Sequence, residues 1–292
     1  MKYFVVKNHQ IIENTLPKNF TFKDHTLTIP KNTQLEEPIR VSLIEDNHDA
    51  FNIVVGKNSQ IKVILEVSDK QLEQNNYDLN LIAEDNSNIK YLLVSDIQST
   101  KAVLNHTTKA HKDSNMEFIG GFVSNVLVSH LQFDLIGEGS NVKVRTLAVS
   151  SDNHSQTLDI HMVHHAPNST AEMTNVGIAN KNGSVILNGV GQIEKGMKNS
   201  SAYQTLKGII TSDTANIQVN PILIIDEFDV KAGHAATVGR LEEEALYYLR
   251  SRGLSLQAAE KLIINGMLHP IISEIDDEAL RDRVVALVDS RI

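Results

Sequence analysis

From its start to about Asp229, the chain alternates apolar and polar residues in short runs. Residues 51–55, 61–67, 141–145 and 184–188 are representative. Each is rich in Val and Ile and has the two-residue period of a half-buried strand. Between the runs lie Asn, Gly, Ser and Asp, which turn a chain easily or tolerate left-handed backbone. No Pro occurs between Pro38 and Pro167, so little interrupts a strand ladder there.

The spacing of the turns carries more than the strands do. A small polar turn followed by apolar alternation recurs at Asn58-Ser59, Asn86-Ser87, Asp113-Ser114 and Gly139-Ser140. It continues at Asn168-Ser169, Gly183-Ser184, Asn199-Ser200 and Thr214-Ala215. The early intervals are about 26–29 residues and the later ones about half that, which gives one underlying period of roughly 14. Such a period suits stacked coils that bury their apolar sides against one another. The 26 Asn residues fit the left-handed corners that coils require. An antiparallel sandwich, with strands at roughly 8–12-residue intervals, fits the same pattern.

From about Arg240 the period becomes helical. Leu241, Ala245, Tyr248 and Leu249 recur at helix spacing, with Glu242, Glu243 and Glu244 in a first turn that favours anions. Gly253 predicts the end of that helix and Ser255 the cap of the next. The second helix is expected to bury Leu256, Ala259, Leu262, Ile263 and Met267 on one face and to close at Pro270. A third is expected after Asp276, with Leu280, Val284, Leu287 and Val288 as its stripe. Arg250, Arg252, Arg281, Arg283 and Arg291 lie on this small helical subdomain.

Composition narrows the function classes. Hydrophobic residues make up 41% of the 292 and charged residues 22%, the mix of a folded soluble protein. No apolar run approaches the roughly 20 residues of a membrane span, and the first residues lack the apolar stretch of a signal peptide. The expected location is therefore the cytoplasm. The chain has no Cys, so it forms no disulfide and supplies no thiolate ligand. A net charge of −9 argues against nucleic acid and against anionic membrane surfaces as partners. Aromatic residues are 5% with no Trp, which leaves few platforms for stacking sugars or bases. There is no Gly-x-x-x-x-Gly-Lys-Ser/Thr loop, no His-Glu-x-x-His and no Gly-x-Ser-x-Gly.

The segment Asp229-Val-Lys-Ala-Gly-His-Ala-Ala-Thr-Val-Gly239, followed by Tyr247-Tyr-Leu-Arg-Ser-Arg-Gly253, resembles the C-terminal signature of the SufB/SufD family. In that family a His-x-Ala-Thr element precedes a helix ending in a Leu-x-Ser/Thr-Arg-Gly turn. Asn220-Pro-Ile-Leu-Ile-Ile225, His165-Ala-Pro-Asn-Ser-Thr170 and Ala202-Tyr-Gln204 are similar to family segments further upstream. The resemblance implies a mainly β protein: a right-handed parallel β-helix (β-solenoid) over 1–235 and a C-terminal α-helical subdomain over 236–292. It implies a non-catalytic scaffold subunit of iron–sulfur cluster assembly. A SufC-type ABC ATPase would dock on the helices and hydrolyse the ATP. A SufB-type subunit or a second copy would pair through the last β-helix strands, where iron or a nascent cluster forms. Three departures point to a SufD-like member. Strands begin almost at Met1 where the family has a helical region, Ala232 stands where a Cys often precedes the signature His, and Ala235 follows His234 where SufB-type chains have Glu.

The candidate residues follow. His234 is the expected iron or cluster ligand, shared with a partner's thiolates; the plainer reading is a hydrogen bond to the turn before the helix. Tyr247, Tyr248, Arg250 and Arg252 are the expected docking face for the ATPase, since Tyr and Arg are common interface anchors. Asp226, Glu227 and Asp229 offer oxygen ligands or, more simply, a solvated edge. If their segment is a strand, Glu227 and Asp229 share one face. His161 and His165 would share a strand face, roughly 13 Å apart at 3.3 Å per residue, which suits a polar ladder better than one metal ion. Two other classes compete with the scaffold: a stand-alone structural or binding solenoid, and a β-helix enzyme acting on polysaccharide. Binding of a SufC-type partner separates the first from the scaffold, and product release from polymeric uronides would reveal the second.

Overall fold

The computed structural model describes residues 2–8, 10–44, 50–70, 73–273, 275 and 278–291. Its first strands are β1 (Lys2–Lys7), β2 (Gln10–Asn14), β3 (Thr21–Lys23), β4 (Thr26–Ile29), β5 (Ile39–Ile44) and β6 (Ala50–Val55). Then come β7 (Gln60–Ser68), β8 (Asn75–Ala83), β9 (Asn88–Asp96), β10 (Ala102–Ala110), β11 (Asn115–Phe122), β12 (Val126–Leu135) and β13 (Asn141–Ser150). The last are β14 (Ser155–His164), β15 (Thr170–Ala179), β16 (Ser184–Ile193), β17 (Ser201–Ile210), β18 (Asn216–Ile225) and β19 (Lys231–Arg240). Three helices follow: α1 (Glu243–Ser251), α2 (Leu256–Ile272) and α3 (Glu278–Arg291). None of them is long and apolar enough to cross a membrane.

The strands build two walls. One has ten strands in the order β19-β17-β15-β13-β11-β9-β7-β5-β1-β2, and the other nine in the order β18-β16-β14-β12-β10-β8-β6-β4-β3. From β5 and β6 onward successive strands alternate between walls, and each pairs in parallel with the strand two places on. The product is a parallel β-solenoid of about 7 turns, with 56% of the chain in strands. Ile61, Ile89, Met116, Val142, Ala171, Ala202 and Ala232 stack in register, so one turn takes 26 to 31 residues. The half-period of roughly 14 is one strand with its corner. The antiparallel sandwich is thereby set aside. Only the first turn departs from parallel pairing: β2 runs antiparallel beside β1, and β3 beside β4.

The corner chemistry explains the turn spacing. Asn58, Asn86, Asp113, Gly139, Asn168 and Asn199 all have positive φ, between 52° and 71°. Asn and Asp tolerate this region because their short polar side chains bond locally. Their amides stack along the corner, with Asn86 Nδ2 donating to Asn58 Oδ1 at 2.9 Å and Asn58 Nδ2 to Asn32 Oδ1 at 3.1 Å. The Ser after each corner residue is buried, and Ser87, Ser114 and Ser169 donate to the carbonyl three residues back. Such a partner offsets the cost of burying a hydroxyl; Ser140 Oγ, also buried, has none among the described residues.

The molecule has two cores. The first lies between the walls, where Phe4, Leu27, Ile39, Leu65, Tyr91, Phe118 and Phe133 interdigitate. The second lies outside the ten-stranded wall. There Ile64, Leu92, Ile119, Leu147, Val149 and Ile178 are covered by Ile264, Leu268 and Ile272 of α2 and Val284 and Val288 of α3. At roughly 1.5–3 kcal/mol per buried aliphatic side chain, this layer is a substantial part of the fold. α2 and α3 therefore cover this wall of the solenoid. The boundary expected at 235 also moves, because β19 continues to Arg240.

Details of the helices differ from the expected ones. Ser255 caps α2 as expected, its Oγ accepting from Ala258 N at 3.2 Å. The buried face of α2 is Ala259, Ile264, Leu268 and Ile272, while Leu256 and Leu262 face outward. α2 also runs two residues past Pro270. Val284 and Val288 of α3 are buried as expected; the Leu280 side chain and Asp276 lie outside the described residues.

Candidate functional site

The inward-facing side chains of each turn are covered by the next turn, until β18 and β19. On these two strands nearly every residue is exposed or half-exposed. The interior therefore opens to solvent at this end. One inward column runs Phe118, Val144, Met173, Gln204 and His234 in register. His234 is the last member, exposed on β19 with no turn above it. It is not at the turn before α1, where the plainer reading would place it, and its ring has no hydrogen bond among the described residues. The imidazole stands free at the open end, with the buried Gln204 directly beneath.

Gln204 is the one polar member beneath His234 in that column. It is 3% exposed, and its Nε2 donates 2.7 Å across the interior to the Ile222 carbonyl of β18. Gly189 and Gly191 on the facing wall make room: a Cβ at Gly191 would lie 2.8 Å from Gln204 Nε2. The bond ties β17 to β18 beside His234. Pro221 sits in β18, which has no strand beyond it, the place where a ladder tolerates Pro.

The two edge strands carry an apolar rim: Phe228 is exposed on the corner and Val238 on β19, while Ile222 and Ile224 are exposed on the outer face of β18 and Tyr203 on that of β17. Sequence reasoning passed over this rim, although the unbroken run Ile222-Leu-Ile-Ile225 signals a strand apolar on both faces.

The three carboxylates do not converge on His234. Their segment is a corner between β18 and β19, not a strand, so the shared face for Glu227 and Asp229 does not exist. Glu227 caps the corner: its carboxylate accepts from Phe228 N at 2.9 Å, Gly196 N at 2.9 Å and Asp229 N at 3.4 Å. These backbone donors hold its pKa below the usual carboxylate value. His161 and His165 are likewise in ladders on the outer face and corner of the nine-stranded wall. His161 Nε2 lies 3.1 Å from Gln192 Oε1, and His165 bridges Glu194 at 2.9 Å and Asp134 at 3.4 Å. Among the described residues, no three His, Asp or Glu side chains are grouped to hold a metal ion.

The expected docking residues lie together on α1 and its C-cap. Tyr247 and Tyr248 are 75% and 56% exposed, Arg250 and Arg252 are exposed, and the Arg252 guanidinium sits 5.2 Å from the Tyr248 ring centre. α1 buries none of its residues. It begins three residues after β19 ends. Leu256 and Leu262 of α2 are exposed as well.

A solenoid closed by antiparallel strands at one end, open at the other and covered on one wall by helices defines the class. Residues 43–267 match the family described as "SUF system FeS cluster assembly, SufBD core domain". The chain belongs to the SufB/SufD family, and it is a SufD-like member. It is 29% identical over 277 residues to the iron–sulfur cluster assembly protein SufD of Bacillus subtilis, covering 91% of this chain and 63% of that protein. It is 27% identical over 167 residues to SufD of Escherichia coli, covering 57% of this chain and 40% of that one. A SufBD family protein of Mycobacterium tuberculosis is 27% identical over 202 residues, 68% of this chain and 24% of its own length. The chain thus spans less than two thirds of the length of these relatives.

Proposed function

We propose that this chain is a non-catalytic scaffold subunit of cytoplasmic iron–sulfur cluster assembly. It pairs through its open end with a SufB-type chain or with a second copy of itself. The observation that carries this reading is the free His234 at the end of the last inward column, on an end whose edge strands and corner expose Ile222, Ile224, Val238 and Phe228. An apolar rim of this kind is what a partner's surface covers. Iron or the nascent cluster is cargo held between the two chains. His234 supplies one neutral imidazole, a good borderline ligand, and a SufB-type partner supplies the thiolates that this cysteine-free chain, alone or paired with a second copy, lacks. Tyr247, Tyr248, Arg250 and Arg252 form the docking face for a SufC-type ABC ATPase, whose movement reaches β19 through the short link to α1.

Two measurements test the reading. In the reconstituted assembly, His234→Ala is expected to cut cluster formation, followed by visible absorption, while complexes of the same size still form. Undiminished cluster formation would remove the ligand role. For docking, Tyr247→Ala with Arg250→Ala is expected to abolish co-purification with the ATPase without changing the melting temperature, because both side chains are exposed. Retained binding would move the docking face elsewhere. Truncation near residue 240 is the poorer probe, since it uncovers the second core.

A further inference from the structure

We propose that the C-terminal half of α3 is fastened to the solenoid by a proton-sensitive clasp, in which the neutral imidazole of His154 holds Arg291. Arg291 Nη1 lies 2.5 Å from His154 Nδ1, while Nη2 donates to Asn125 Oδ1 at 2.6 Å and to the Val123 carbonyl at 3.4 Å. A guanidinium has donors only, so Nδ1 of His154 must present its lone pair. A proton on that nitrogen replaces the hydrogen bond with two facing cations. Protonation of His154 thus weakens the clasp, leaving the Asn125 and Val123 bonds and the Asn180 amide on the Arg291 carbonyl at 3.4 Å.

The groups around the clasp do not rescue it. On the corner between β13 and β14, Asp152 favours the charged forms of both His154 and Arg291, but its carboxylate is already bonded to Lys181 at 2.8 Å and to Ser151 Oγ at 2.9 Å. Asp96 of β9 also attracts Arg291, but it is engaged by Arg283 at 3.3 Å. Burial, and then the charge of Arg291, lower the pKa of His154 beneath its ordinary value. A histidine with a depressed pKa stabilises the closed form above its free pKa of about 6.5, and that contribution is lost as the pH falls below it. The other half of α3 has a different fastening, with Arg283 on Glu66 at 3.4 Å and on Asp96 at 3.3 Å. Carboxylates stay charged through this range, so mild acid loosens the Arg291 end, which keeps its ties from Lys261 and Asn265 to Asp289. What it uncovers is the apolar wall under that end, including Val123, Leu147 and Val149.

Hydrogen exchange at pH 7.5 and 5.5, corrected for the pH dependence of intrinsic exchange, tests this on the intact chain. Protection over 284–291 is expected to fall by up to about tenfold at pH 5.5, the factor for one unit below the free pKa, while 278–283 changes less. His154→Gln keeps an acceptor at both pH values and is expected to remove the difference. Arg291→Met, which removes the facing cation, is expected to remove it too should the first variant fold poorly. Equal wild-type protection at both pH values would overturn the clasp. So would an excess loss over 284–291 that survives in the variants, or a loss there no larger than that of β13 and β14, which marks general unfolding.

Discussion

His106 lies in the first core among Tyr91, Phe118 and Phe133, its Nε2 3.2 Å from the Tyr91 hydroxyl. Burial there lowers its pKa to about 3, and burial lowers that of His164 to about 4. Both folded values lie below the free value, so the stability of the neutral forms is complete above about pH 6.5 and is lost as the pH falls. One unit below the free pKa, each group costs about 1.4 kcal/mol. Urea unfolding is therefore expected to show about 2–3 kcal/mol less stability at pH 5.5 than at pH 7.5. Tyr91→Phe combined with His106→Leu, which removes both partners together, is expected to halve that loss. An unchanged loss would place the proton uptake on other residues. Gly189 makes a different prediction at this scale. A Cβ there would stand 2.9 Å from Met173 Sδ and 3.1 Å from Leu206 Cδ1, so Gly189→Ala is expected to cost about 1–3 kcal/mol in the same assay. These constraints were not legible in the sequence. A histidine between an Asn and two Thr reads as a surface strand residue until the wall that buries it is known.

Among the elements, the strands and corners were the most legible and the helix faces the least. Asn58-Ser59 and its successors name both the left-handed residue and the buried hydroxyl of each corner, because only a few residue types satisfy either position. α2 is apolar nearly all round, so its own period does not choose a face; the outer surface of the ten-stranded wall chooses it. That surface had a signal of its own. Runs such as Val63-Ile-Leu65 and Tyr91-Leu-Leu-Val94 break the alternation of a one-sided strand, and these are the strands the helices cover. The assignment has a direct test in paired substitutions. Ile264→Ala is expected to cost about 2–5 kcal/mol as a buried truncation, and Leu262→Ala, two residues away but exposed, less than about 0.5 kcal/mol. Equal effects from the two would mean that α2 is rotated in solution.

At the scale of the whole molecule, the open end is where the proposed function resides, and it was legible only through the family signature. Spacing gave stacked coils, but nothing in composition marks which coil is last, or that the column beneath His234 stops there. Pairing through this end predicts that Ile222→Asp with Val238→Asp abolishes association with a SufB-type chain or with a second copy, seen as a smaller hydrodynamic size. Both residues are exposed, so the monomer's melting temperature is expected to hold. A variant pair that still assembles would place the contact elsewhere.

The antiparallel strands β2 and β3 at the opposite end give the molecule a polarity with a practical result. Stacked parallel turns repeat the backbone spacing of amyloid, and a solenoid with two bare ends is a template for unlimited head-to-tail growth. Here the first turn offers reversed strands in place of a parallel template. A second molecule meeting the bare end would find no parallel strand to extend on the far side.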